Sequence, residues 1–163
     1  MVKKKISKSP LITLVLLVLS SLMAYAIVNL IEIDLSKYVI ADVLEISENL
    51  IIVGNNCTAI VAETSQERAD SIESGIRGII NERPTTHDTF VEVLRNFNIT
   101  LDHVNLERFD GNYYYADLVL QAGDKVLILD TKPSDAIALA VRTNSTIYIN
   151  KTMLQEVGIN ICE

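Results

Sequence analysis

At 163 residues with 49% apolar side chains, the chain has room for one domain with a sizeable core, so its function resides in one site or one surface. Cys57 and Cys162, the only two cysteines, are too few and too far apart for a paired-cysteine zinc cluster. All 21 acidic residues follow Ile31 together with only ten of the 14 Lys and Arg, a formal charge of −11 that opposes unaided binding to polyphosphate.

Residues 1–10 carry Lys3, Lys4, Lys5 and Lys8. They precede an apolar stretch, 11–31, broken only by Thr13, Ser20, Ser21 and Asn29. As a helix this stretch is roughly 31 Å long, the thickness of a bilayer core, and reads as one N-terminal transmembrane anchor. Two other readings are a cleaved signal peptide ending at Ala24-Tyr25-Ala26 and a buried soluble helix. The uncleaved anchor is favoured because apolarity continues past Ala26 to Ile31. With the lysines held in the cytoplasm, the expected localisation is the cell membrane, single-pass, with residues 32–163 outside the cytoplasm; cleavage would make the protein secreted.

Residues 37–163 form the second segment. Lys37–Ile46, Leu50–Val53 and Thr58–Ala62 read as strands separated by Ser47-Glu48-Asn49 and Gly54-Asn55-Asn56 turns. Thr64-Ser65-Gln66-Glu67 has a capping-box pattern, and Ala69, Ile72, Ile76 and Ile79 follow at helical spacing to about Asn81, despite Gly75 and Gly78. Pro84 breaks that helix. A second begins near Thr86, with Phe90, Val91, Leu94 and Phe97 inward. A three-strand meander follows over 99–108, 113–120 and 125–130, in which Val126–Leu129 reads as a buried strand. A helix opening at Pro133 or Ser134, a strand at 147–149 and a last helical turn over 152–157 complete the chain. The pattern predicts an α+β fold, a mostly antiparallel or mixed sheet with packed helices.

In an oxidising exterior Cys57 and Cys162 can pair. Asn56, Asn98, Asn144 and Asn150 each begin an Asn-x-Ser/Thr triplet, a glycan acceptor on an exported domain that this Asn-, Ser- and Thr-rich composition also produces by chance.

Polar residues gather in two loops, 83–88 and 130–135, each at the start of a helix, where unpaired N–H groups suit a phosphate. Arg83 can clamp phosphate oxygens, His87 can exchange a proton near neutrality, and Asp88, Asp130 and Asp135 can hold Mg²⁺ or Mn²⁺. Each has a structural reading too. Asp88 and Asp135 suit a first helical turn through the helix dipole, Thr85 or Ser134 can be N-caps, and Arg142 can stabilise a last turn. His103 reads as a structural or exposed strand residue. Tyr113, Tyr114 and Tyr115 alternate across a strand, so an exposed Tyr114 can stack a base.

Arg83-Pro84-x-Thr86-His87-Asp88, Asp110-Gly111-x-Tyr113-Tyr114-Tyr115-Ala116 and Asp130-x-Lys132-Pro133-Ser134-Asp135-Ala136-Ile137-Ala138-Leu139-Ala140-x-Arg142 resemble, in order and separation, the bifunctional nuclease family. The resemblance runs from about Lys37 to Gly158. Lys132 stands where arginine is common in the family, keeping the charge without the planar fork. The resemblance implies a nuclease acting on DNA and RNA, assisted by a divalent cation (Mg or Mn), and a homo-oligomer. It carries His87, Asp88, Asp130 and Asp135 over as catalytic, Arg83, Thr86, Lys132, Ser134 and Arg142 as phosphate-binding, and Asp130, Asp135 and Asp88 as metal ligands. The competing expectation is a noncatalytic envelope-tethered module binding an anionic ligand or protein partner.

Overall fold

The computed structural model describes residues 10–29, 34–80 and 82–162 and divides into two units, Met1–Leu35 and Ser36–Glu163. The first contains α1 (Pro10–Asn29), 20 residues long, close to the predicted apolar stretch. Its described side chains, Ile12–Ser21, are all exposed. Among the described residues no helix is long and apolar enough to cross a membrane, with only those side chains of α1 described. The four lysines lie outside the described residues.

The second unit is an α+β domain on one mixed sheet of eight strands. Its strands are β1 (Tyr38–Ser47), β2 (Leu50–Asn55), β3 (Thr58–Glu63), β4 (Thr100–Phe109), β5 (Tyr114–Ala122), β6 (Lys125–Thr131), β7 (Thr146–Asn150) and β8 (Ile159–Asn160), in spatial order 6-5-4-7-1-2-3-8. All pairs are antiparallel except β4 with β7. The helices are α2 (Gln66–Ile76), α3 (Thr86–Asn96), α4 (Pro133–Thr143) and α5 (Lys151–Val157). α4 lies centrally, touching α2, α3, β4, β5 and β7. Its Ala136–Ala140 run is wholly buried in the core with Ala116, Leu118 and Leu120 of β5, because small side chains let a helix approach a sheet closely.

α2 ends earlier than its periodicity predicts. Arg77 is the C-cap, Gly78 takes φ +64, Ile79 N–H donates to Ser74 O (2.9 Å) and Gly78 N–H to Gly75 O (3.2 Å), a Schellman ending that needs Gly78. The predicted capping box at Thr64–Glu67 is not made: Ser65 is the N-cap, without a side-chain bond. The box forms instead at α3, between Thr85 and Asp88. Ser134 is not an N-cap either, since Lys132 holds that position with Pro133 first in α4.

Three burial expectations are corrected. Phe97 is exposed, because α3 ends at Asn96 and its buried residues are Val91 and Leu94. Val126–Leu129 are 37 to 53% exposed, because β6 is an edge strand rather than an interior one. Tyr114 is half-buried, its ring 4.5 Å from that of Phe109 and its hydroxyl donating to Val61 O (3.3 Å). His103 is buried with Nδ1 2.7 Å from Asp102 Oδ2 and its ring edge on Tyr148, a structural role.

Cys57 and Cys162 form a disulfide that pins the carboxyl end beside β3, where β8 pairs. The four Asn-x-Ser/Thr triplets each have a backbone explanation: Asn56, Asn98 and Asn144 adopt positive φ, which asparagine tolerates, and Asn150 caps α5 by accepting from Thr152 N–H (2.9 Å).

Candidate active site

The 83–88 loop is built around the capping box. Asp88 Oδ2 accepts from Thr85 N–H (2.8 Å) and the Thr85 hydroxyl (2.7 Å), while Thr85 Oγ1 accepts from Asp88 N–H (3.3 Å). The other oxygen, Oδ1, accepts from Arg142 Nε (2.8 Å) in an ion pair whose side chains are 13% and 7% exposed. Burial works against the Asp88 charge, but the Arg142 and Thr85 hydrogen bonds outweigh it and hold the carboxyl at about 2.

Arg142 has most of its donors engaged. Besides Asp88, Nη1 donates to Ser71 O and Ala138 O (2.9 Å each) and Nη2 to Ser71 Oγ (3.2 Å). It therefore clamps α2, α3 and α4 together instead of projecting a free guanidinium towards a phosphate. Gly75 permits this closeness, since a Cβ there would lie 2.6 Å from Val141 Cγ2 and 2.8 Å from Arg142 Nη1.

The clamp positions His87. Its Nδ1 is 3.0 Å from Ser71 Oγ and its Nε2 is 3.5 Å from Asp135 Oδ1, with His87 17% and Asp135 36% exposed. Ser71 Oγ accepts from Arg142 and keeps one hydrogen and a second lone pair, so it can fix the ring either by donating to Nδ1 or by accepting from it. Ser71, His87 and Asp135 thus stand in nucleophile–base–acid order. None of the three lines the neighbouring cleft, and the Ser71 hydroxyl is held from both sides, so its role is to orient the ring.

That cleft, about 470 Å³, opens at the first turn of α4. Core residues Val53, Ile60, Leu106 and Ile137 form its floor, and Glu63, Thr64, Arg68, Asn112, Lys132 and Ser134 its polar rim. Arg68 and Ser71 lie one turn apart on α2, and Ser134 and Asp135 are adjacent on α4, so the cleft and the His87 cluster share two helical turns. The 110–113 turn completes the rim. Asp110 Oδ1 accepts from Asn112 N–H (2.9 Å) and Tyr113 N–H (2.8 Å), Oδ2 accepts from the Tyr115 hydroxyl (2.7 Å), and Gly111 takes φ +95. The Tyr113 N–H bond first, then those from Tyr115 and Asn112, hold Asp110 at about 2.

The fold therefore unites His87, Asp88, Asp135 and Arg142 in one network, with Lys132 and Ser134 on the neighbouring rim. Arg83 and Thr86 are exposed, and neither side chain takes part in a hydrogen bond or ion pair among the described residues. Asp130 is elsewhere. It pairs across strands with Asp117, which alternates with the core residues Ala116 and Leu118 and so faces away from α4. There burial, Glu107 and Asp130 push the Asp117 carboxyl upward. Among the described residues, no three His, Cys, Asp or Glu side chains form a group that could hold a metal ion. Asp88 has both oxygens engaged and Asp130 faces the other way, so the three carboxylates do not fit a shared cation.

Sequence reasoning missed Ser71 and Arg68. Both lie on a predicted amphipathic helix, and nothing in its spacing separates them from solvated side chains; only the Gly75 contact with α4 brings them to the site.

A family model described as the bifunctional nuclease domain matches residues 54–162. Two curated Mycobacterium tuberculosis proteins, uncharacterized proteins MT1877 (strain CDC 1551 / Oshkosh) and Rv1829 (strain ATCC 25618 / H37Rv), are each 29% identical over 96 residues, 59% of this chain. The chain spans 57% of the length of each. The matched region contains the Ser71–His87–Asp135 cluster and all of the α4 cleft's lining except Ile51 and Val53, and the chain belongs to the bifunctional nuclease domain family.

Proposed function

We propose that the domain hydrolyses phosphodiester bonds in DNA and RNA, with His87 as the proton-transfer residue and the α4 cleft as the phosphate seat. The observation that carries this reading is the oriented His87, fixed by Ser71 and facing Asp135 at 3.5 Å, with Asp135 next along α4 to Ser134 of the rim that bears Arg68 and Lys132. A phosphate at the first turn of α4 meets Lys132, Arg68 and the Ser134 N–H, since Pro133 has no N–H and those of Asp135 and Ala136 already donate to Lys132 O; the two cations make a local seat that offsets the −11 domain charge. His87 Nε2 then exchanges a proton with the attacking water or the leaving oxygen, and Asp135 stabilises the charged ring. The scattered carboxylates support no metal step, so the mechanism assigns none.

The domain is carried outside the cytoplasm on the anchor read from residues 11–31. The Cys57–Cys162 disulfide, a bond that persists in oxidising compartments, supports the exterior placement. The open β6 edge is the surface a homo-oligomer would use.

The test is cleavage of labelled DNA and RNA by the full chain in detergent, with Mg²⁺, Mn²⁺ or chelator. His87→Ala lowers the rate by about 10²-fold or more if the reading holds. Cleavage undiminished in His87→Ala would move the chemistry elsewhere, and activity abolished by chelator would require a cation site that these carboxylates do not form. Binding without cleavage under every condition would favour the noncatalytic module.

A further inference from the structure

Tyr113 stands at the mouth of the cleft, 71% exposed, and its ring has no aromatic or hydrogen-bonding partner among the described residues. An exposed tyrosine is ordinary, but the backbone of this one is fixed by hydrogen bonds. Its N–H donates to Asp110 Oδ1 (2.8 Å) and its carbonyl accepts from Asp110 N–H (3.1 Å), so the ring is presented on a fixed hairpin. Beside it the cleft is two-toned: the floor of Val53, Ile60, Leu106 and Ile137 is apolar, and the rim carries Arg68 and Lys132.

From this juxtaposition we infer that the cleft takes an unpaired nucleotide, with its base entering between Tyr113 and the apolar floor and its phosphate on Arg68, Lys132 and the first turn of α4. The inference rests on the nuclease reading and narrows its substrate to single-stranded or locally unpaired polynucleotide. At 470 Å³ the cleft is within the range of small-ligand sites, about 300–1,000 Å³. A flat π-face beside a cationic rim matches the chemistry of one nucleotide unit. A base inside a duplex is stacked on both faces and must leave the stack before it can enter, so duplex substrates are disfavoured. Asn112 and Glu63, on the same rim, are placed to meet the polar edge of the base.

The experiment uses the full chain in detergent with a single-stranded oligonucleotide, the same strand annealed to its complement, and an abasic strand of equal length. The inference predicts that kcat/KM for the single strand exceeds that for both others by about 10-fold, and that Tyr113→Ala raises KM by about 10-fold while Tyr113→Phe keeps the wild-type KM. Equal cleavage of single strand and duplex, or an unaltered KM in Tyr113→Ala, overturns it and leaves the nuclease reading standing. Binding is followed separately through the fluorescence anisotropy of a labelled oligothymidylate. A protein that binds this probe through Tyr113 but cleaves nothing supports the base site and sinks the nuclease reading. Absence of binding, or binding that Tyr113→Ala does not weaken, overturns the base site.

Discussion

The two faces of the sheet treat their carboxylates in opposite ways. On the helix side Asp88 accepts from Arg142 and Thr85 and is held at about 2, despite burial. On the other side Asp117 is pushed upward by burial and by the charges of Glu107 and Asp130, and the Tyr38 hydroxyl, bonded to Glu107, is pushed upward as well. Asp130 and Asp135 flank one strand-to-helix corner and are divided by this boundary, Asp130 joining the like-charged row and Asp135 the oriented histidine. A contiguous motif is thus split by strand alternation, and the compensated helix side has the ordered geometry that proton transfer requires.

The largest effect is expected from breaking the helix-side network. Arg142→Ala leaves Asp88 buried without its cation and costs about 3–5 kcal/mol, read as a lower urea midpoint. Gly75→Ala forces α2 away from Val141 and Arg142 at a cost of about 1–3 kcal/mol. A lower His87 activity should accompany it, because Ser71 moves with α2.

Acid sharpens the comparison. The folded pKa of Asp88 lies below the ordinary 3.8, so its contribution is complete above about pH 4 and is lost as pH falls towards 2. Discounted for partial exposure, that contribution is about 1–2 kcal/mol. Asp110, also held at about 2, titrates in the same window, so the measurement is the difference between wild type and Asp88→Asn across pH 2 to 5. Asp117 has the opposite sign. Its raised pKa makes the ionised form unfavourable in the folded state, a cost relieved as pH falls, so Asp117→Asn should raise the urea midpoint slightly at pH 7 and less at pH 3.

Much of the fold is legible locally. The strands and the α4 start follow from turn residues and periodicity, which act over a few positions, whereas α2 ends at Ile76, ahead of the Gly78 turn and well before the expected break at Pro84. Burial was less legible. Val126–Leu129 has the composition of an interior strand, and only the topology, with β7 entering beside β4, leaves β6 at the edge. The capping box illustrates the same limit, since Thr64–Glu67 and Thr85–Asp88 both have suitable residues and only the second is formed. In the site, His87 and Asp135 were visible as chemistry at helix starts. Their partner Ser71 was not, because its role depends on the packing of α2 against α4.

The most direct test compares single-strand cleavage by Asp135→Asn and Asp130→Asn at equal concentration, after both are shown to fold. The account predicts that Asp135→Asn loses at least about 10-fold in kcat while Asp130→Asn stays within about twofold of wild type. A large loss in Asp130→Asn with Asp135→Asn unaffected would place the chemistry on the other face of the sheet and contradict it.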